Sequence, residues 1–197
     1  MNAESKKVED PNELVLARWG VVVKDPNDPN ELLRSRWDAV IKVLRAKKLD
    51  SKAKVAEISK IVTPIFDFPL MAKLALGRKH WPKLTADQRA EFTKLFIERL
   101  KASYTSKVKL YKDERVTYKR PIAKKKNLIY IPTKLVCKDQ DVDILYKLHK
   151  SNNRWKIYDV EIQGVSILLT YRSQFDDILS RGTVEQLLSK LRNPSKH

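Results

Sequence analysis

The spacing of apolar residues changes twice along the chain, and this constrains the fold more than any other feature. Residues 28–104 carry apolar side chains three and four positions apart, as at Phe92 and Phe96, which is the period of an amphipathic helix. Residues 116–162 alternate as strands joined by short polar links, and residues 167–191 return to the helical period. We therefore expect an α+β domain with one curved antiparallel sheet of about four to five strands and helices on one face.

Capping residues predict where several helices begin and end. Asp50 or Ser51 is expected to start one helix, which Pro64 ends or bends. The motifs at 85–88 and 183–186 each have threonine followed three residues later by glutamine. Such capping boxes predict two further helix starts.

Glycine is scarce, because the chain holds only Gly20, Gly77, Gly164 and Gly182. Neither a P-loop nor a dinucleotide-binding fingerprint can be assembled from these four, so we expect no nucleotide-driven activity. Gly77 and Gly182 are predicted to stop helices. Gly164 is expected to permit a sharp exit from a strand, after which Ser166 caps the next helix.

The N-terminal part contains a duplication. A five-residue motif at 10–14 returns at 28–32, and Arg18-Trp19 returns eighteen residues later. A single repeat is too short for a solenoid. We predict an extension at residues 1–27, either loosely attached or acting as a partner-binding arm, followed by one domain at 28–197.

The chain is strongly basic, with a net charge of +17 from 41 Lys and Arg against 24 Asp and Glu. The lysines are scattered, with one tight run at Lys124-Lys125-Lys126. We interpret the charge as general attraction to an anionic surface, with solvated loop lysines as the alternative. No nucleic-acid recognition module is visible, so no nucleic-acid partner is expected.

Cysteine and histidine give no metal site. Cys137 is the one cysteine, which excludes an internal disulfide and a zinc site with several thiolates. His80 is expected in a loop, His149 at a strand end and His197 in the tail, without metal-binding spacing. We therefore expect no metal and no cofactor.

Neither a signal peptide nor a membrane span is predicted from the pattern. Residues 1–7 have no apolar stretch behind them. Apolar runs such as Val21–Val23 and Ile167–Leu169 are far shorter than the roughly 20 residues of a span.

Two stretches carry a family resemblance in the same order along the chain. The first consists of Leu76, Gly77, Trp81, Leu84, Thr85, Gln88, Arg89, Phe92, Phe96 and Tyr104. The second begins with the strand-to-helix segment 155–166 and continues through Tyr171-Arg172-Ser173-Gln174-Phe175. Together they resemble the MlaC family of periplasmic phospholipid-binding proteins, also called toluene-tolerance proteins.

The resemblance implies a fold similar to the NTF2-like cone, with a hydrophobic cavity between the sheet and the helices. It implies a lipid transport protein of the periplasm whose cargo is a phospholipid and which serves outer membrane lipid asymmetry. The implied partners are an inner-membrane MlaD-type complex and an outer-membrane MlaA-type lipoprotein and porin complex. It also implies an export leader, which the first residues do not show, and it does not account for the duplicated segment.

We expect the cavity wall to consist of apolar side chains from both layers, although such stripes also pack simply against each other. Arg172 is the candidate contact for a headgroup phosphate, with a surface salt bridge as the alternative. The predicted lipid-binding residues are Phe66, Phe68, Met71, Leu74, Phe92, Phe96, Leu100 and Tyr104 on helices and Ile129, Ile131, Ile144, Tyr146, Val160 and Ile162 on strands.

Two other functions stay open at this point. A hopanoid or quinone could replace the phospholipid, because an apolar wall discriminates poorly between hydrocarbons. An enzyme of the same fold acting on a hydrophobic small molecule would use Asp159 as a general base. We favour a non-enzymatic reading in which Asp159 and Glu161 face outward or hold backbone N–H groups near Ser166.

Overall fold

The computed structural model forms two compact units, Met1–Pro64 and Ile65–His197. The side chains of residues 11, 12 and 104–108 are outside the description. The structure describes residues 11–25, 27–108, 115–138 and 140–193.

The first unit consists of helices α1 (Pro11–Ala17), α2 (Pro29–Arg45) and α3 (Ser51–Val62). Both copies of the duplicated motif thus begin a helix at their proline, a residue suited to the first helical turn. Asp28 and Asp50 cap α2 and α3, because the side chain of each accepts a hydrogen bond from a backbone N–H of the first turn.

The core of the first unit includes residues that we expected in a loose extension. Leu16 of α1 is fully buried with Val43 of α2 and Ile61 of α3. Residues 11–23 therefore pack into this unit and do not form a loose appendage. The domain boundary between residues 27 and 28 stays a prediction.

The second unit contains four α-helices, three of which begin at the predicted caps. Thr85 and Gln88 exchange hydrogen bonds, as do Thr183 and Gln186, and the Ser166 hydroxyl accepts from Leu169 N at 3.1 Å. The helices are α4 (Phe68–His80), α5 (Ala86–Val108), α6 (Ile167–Arg181) and α7 (Val184–Arg192).

The strands of the second unit form one antiparallel sheet in the order β1-β3-β4-β5-β6, with β2 also paired to β3. The α+β prediction is confirmed. The sheet has six strands, more than expected, because Pro121 interrupts the edge beside β3 and because β6 is very short. The strands are β1 (Arg115–Tyr118), β2 (Ile122–Lys125), β3 (Leu128–Val136), β4 (Val142–Ser151), β5 (Arg154–Ile162) and β6 (Val165–Ser166).

Buried side chains of α4–α7 form the largest described core of the second unit, which we call the helix cluster. Half-buried Tyr158 of β5 packs against it. Its buried members are Met71, Ala72, Ala75, Leu76, Leu84, Phe92, Phe96, Leu100, Leu168, Phe175, Leu187, Leu188 and Leu191.

Candidate functional site

The register of the three long strands collects apolar side chains on one face of the sheet. Tyr146 of β4 lies opposite both Ile131 and Val160, and Ile144 lies opposite Ile162. Because side chains alternate along a strand, directly paired residues share a face. This face, which we call the apolar face, includes the buried Thr133 opposite Ile144. Its apolar members are all six predicted sheet residues, Ile129, Ile131, Ile144, Tyr146, Val160 and Ile162, together with Leu148 and Ile157.

Burial varies across the apolar face. Ile131, Leu148 and Ile157 have no exposed surface, whereas the neighbouring pair Ile144 and Ile162 is only half-buried. This pair gives the face an accessible apolar part near the β5–β6 turn. Such surface can receive a hydrocarbon chain without first being unpacked.

The opposite face of the sheet, which we call the polar face, carries charged side chains, and a bulge in β5 places Asp159 among them. Lys147 pairs with Asp159 but the adjacent Leu148 pairs with Ile157, so Tyr158 is an extra residue without a partner on β4. The bulge keeps Asp159 beside Lys147, away from the apolar face.

Lys147 is the centre of this polar face. Its ammonium donates to Asp159 at 3.1 Å and to Glu161, and it lies 5.6 Å from the centre of the Tyr130 ring. Burial alone would lower the pKa of Lys147, but the hydrogen bonds to Glu161 and Asp159 outweigh burial and raise the pKa. The positive charge of Lys147 is therefore compensated by the two carboxylates that it contacts.

Two tyrosines adjoin this group. The Tyr158 hydroxyl donates to the Tyr130 hydroxyl at 3.3 Å. Burial, followed by this hydrogen bond, raises the pKa of Tyr158.

Asp159 holds the connection from β5 to α6. One carboxylate oxygen accepts from the Ser166 hydroxyl at 2.8 Å, and the other accepts from Leu168 N at 3.2 Å and Val160 N at 2.9 Å. With Lys147 also donating, both oxygens are used inside the protein. This geometry agrees with the expected role of holding backbone N–H groups near Ser166, and it directs no free lone pair at a substrate.

Several of the predicted wall residues on helices are buried in the helix cluster. The rings of Phe92 and Phe96 stack at 5.9 Å between centres, and both also contact Phe175 of α6 at 5.3 and 6.1 Å. Met71 and Leu100 are buried in the same helix cluster. The described members of this cluster include none of the six predicted sheet residues, but Phe66, which packs against the cluster, forms a β-bridge with Ile157 of the apolar face. A single wall formed by both sets stays a prediction.

The remaining predicted helix residues lie at the margin of the helix cluster or beyond the description. Phe66 and Phe68 stack at 5.4 Å, and both pack half-buried against the cluster with Leu74. The helical position expected for Phe66 was wrong, because α4 begins at Phe68. Tyr104 is a member of α5, but its side chain lies outside the described residues. The lipid contacts of all these residues stay predictions.

Arg172 contacts the backbone of α4, and its contact with a headgroup phosphate stays a prediction. Its Nε donates to the carbonyl oxygen of Leu74 at 2.9 Å, and a terminal nitrogen donates to the same oxygen. This carbonyl is left without a helical partner because Gly77, at φ +74°, breaks the hydrogen-bonding pattern of α4. The guanidinium therefore caps the first part of α4, which is a bond within the fold and no salt bridge.

The first helical part of α4 stops at Gly77, as expected, and a second helical part follows the kink and reaches His80. His80 is therefore buried at a helix end, not placed in a loop. Its Nε2 lies 2.6 Å from Asp176 Oδ1, which also accepts from Lys79 at 2.8 Å.

Neither histidine of the described chain belongs to a metal site. His149 pairs with Asp67 at 2.8 Å, and Asp67 also caps α4 through Leu70 N. Across the described ranges, no group of three or more His, Cys, Asp or Glu side chains could hold a metal ion. No helix in the described residues is long and apolar enough to span a bilayer.

Comparison with known proteins gives a family match and matches to solved structures. The family model for the MlaC protein matches residues 34–193. Among solved structures, a similar chain is a phospholipid-binding protein from Ralstonia solanacearum in complex with a phospholipid. The two chains are 25% identical with a TM-score of 0.75, and the match covers 84% of this chain and 95% of that chain. A search of curated proteins found no match.

Proposed function

The chain belongs to the MlaC family, and on this premise we propose that it binds a phospholipid by sheltering the acyl chains against its apolar face. The observation that carries the proposal is the accessible pair Ile144 and Ile162 at the margin of a continuous apolar surface. The phospholipid held by the similar structure supports the same ligand class.

The energetics favour a site of this kind. Each buried CH₂ contributes about 0.8 kcal/mol, so two chains of about sixteen carbons would lose more than about 20 kcal/mol on exposure to water. Apolar side chains can offset this loss without hydrogen bonds. The headgroup can remain in water, which removes the need for Arg172 to leave its bond with Leu74.

The finer part of the proposal is transport. The chain would act as a carrier in the periplasm that exchanges lipid with an outer-membrane MlaA-type complex and an inner-membrane MlaD-type complex. It has too few glycines for a nucleotide-binding loop. The direction of transport would therefore be set by its partners.

The test compares two adjacent positions of β4 that face opposite sides. Ile144 lies on the apolar face and Leu145 on the polar face, and both are half-buried. We expect Ile144→Lys to reduce the lipid extracted from purified protein at least about tenfold, because an ammonium group is costly to bury beside acyl chains. Leu145→Lys is the matched control and should retain its lipid. Quantitative mass spectrometry of organic extracts measures both.

Thermal unfolding of the two variants separates binding from folding. If both variants melt at similar temperatures and Ile144→Lys alone loses lipid, the apolar face is the site. Equal lipid content in Ile144→Lys and the unaltered protein would contradict this location. Absence of lipid from every sample, with no uptake from vesicles, would contradict the proposed function itself.

A further inference from the structure

One end of the sheet is formed by two basic hairpins that lie side by side. The β2–β3 hairpin carries Lys124, Lys125 and Lys126, all exposed. The β4–β5 hairpin carries Lys150, Arg154 and Lys156 at the same end, where Lys150 N donates to the Asn127 carbonyl of the first hairpin at 3.0 Å. We call these six residues the basic end.

The basic end acts as one electrostatic unit. Residues 115–138 and 144–158 contain no aspartate or glutamate. Asp67 adjoins Arg154 and Lys156, and its carboxylate pairs with His149 at 2.8 Å. The two hairpins occupy four neighbouring strands, β2-β3-β4-β5, a width of about 15 Å at the usual strand spacing. This is less than about twice the Debye length at physiological salt, so the six cations present an additive field to a large anionic surface.

Protection of a sheet edge explains only part of this charge. Lysines on edge strands prevent pairing with other chains, which accounts for Lys124 and Lys125 of β2. It does not account for Lys126 in the turn, nor for Lys150 and Arg154 on strands that are away from this edge.

A planar anionic surface fits the basic end better than an acidic protein does. Five of the six cations are lysines, which act as hydrated point charges and suit a diffuse layer of headgroups, whereas arginine suits a fixed carboxylate geometry.

We propose that the basic end docks the protein on the anionic surface of a bilayer. This contact lies apart from the apolar face and goes beyond lipid binding. It turns the general attraction of a +17 chain into an oriented approach in which the two hairpin loops meet the headgroups first.

The experiment uses the full chain and vesicles of phosphatidylcholine with about 30% phosphatidylglycerol. The variant Lys124→Gln/Lys125→Gln/Lys126→Gln removes the exposed run. The control Lys73→Gln/Lys94→Gln/Lys190→Gln removes the same charge from exposed helix positions. Each lysine near an anionic surface strengthens binding about fivefold, so the hairpin variant should bind anionic vesicles about a hundredfold more weakly than the unaltered chain. The control should change binding less than about fivefold, and raising the salt should abolish the difference.

Three outcomes would overturn the proposal. Equal losses in both variants would mean that net charge acts without a defined surface. The hairpin variant could bind anionic vesicles as the unaltered chain does and yet lose lipid exchange with a protein partner in neutral vesicles. That result would mean that the basic end contacts an acidic protein. Absence of anionic vesicle binding by the unaltered chain would remove the contact altogether. Lipid extracted from each variant should stay unchanged, which separates this proposal from the proposed function.

Discussion

The helix cluster and the apolar face use similar side chains in different ways. In the helix cluster, Phe92, Phe96 and Phe175 contact one another through their rings, and each is 3% exposed or less. On the apolar face, burial falls from complete at Ile131 to partial at Ile144. The apolar side chains of the helix cluster cover one another, whereas the apolar face leaves part of its surface accessible.

This difference separates stability from binding. Rings that interlock at 5–6 Å contribute dispersion and burial to the folded state whether or not a ligand is present. Half-buried isoleucines contribute less to folding and retain surface for a second apolar molecule. Substitutions in the two regions should therefore change different measurable quantities.

The largest effect is expected from Phe96→Ala in the helix cluster. Removing a fully buried ring leaves a cavity among its neighbours, so the free energy of unfolding should fall by about 3–5 kcal/mol. Ile162→Ala removes a half-buried side chain and should cost under about 2 kcal/mol while lowering lipid content. Denaturant unfolding and lipid extraction on both variants measure the contrast. Similar stability losses would show that the two regions are packed alike.

A smaller effect is expected from Gly77→Ala at the kink of α4. The φ of +74° strains any residue with a Cβ, and the new atom would lie 3.5 Å from Arg172 Nε. We expect a loss of about 1–2 kcal/mol in the free energy of unfolding, with lipid content unchanged. The control is Ala75→Gly, which reports the cost of altering the same helix without the backbone strain. Gly182→Ala is unsuitable because its Cβ would meet Gln186. A loss of lipid in Gly77→Ala would extend the site to the kink.

The smallest effect is expected from Asp176→Asn at the margin of the helix cluster. Hydrogen bonds from Lys79 and then His80 lower the pKa of Asp176 below 3.8. A lowered pKa means that the folded state favours the carboxylate, so this contribution is present above pH 4 and disappears as the pH falls through the lowered pKa. The unaltered protein should be slightly more stable than the variant at pH 7, and the difference should shrink as the pH falls below 4. A constant difference across this range would exclude the ion pair as its cause.

The sequence predicted the apolar face well for a physical reason. Residues two apart on a strand point the same way, so Ile129 with Ile131, and Val160 with Ile162, could be assigned to one side before any pairing was known. The capping boxes were equally predictable, because Thr85 and Thr183 act on residues only three positions away.

The partners of the helices could not be predicted in the same way. Helical periodicity shows that Phe92 and Phe96 share a stripe, but it does not say whether that stripe meets a sheet or another helix. The contact of Arg172 with Leu74 joins distant segments, and it depends on a kink at Gly77 that resembles an ordinary helix stop in sequence. A positive φ at a glycine is a property of the folded backbone.

The extra residue at Tyr158 has a consequence for comparing this chain with its relatives. It divides β5 into two segments of opposite phase, with odd positions such as Ile157 and then even positions such as Val160 turned to the same side. A relative one residue shorter here would present the same two surfaces and lose only the tyrosine. An alignment gap at this point would therefore be a conservative change. A one-residue gap in β4 would instead turn its charged side chains to the apolar face and its apolar side chains to the polar face.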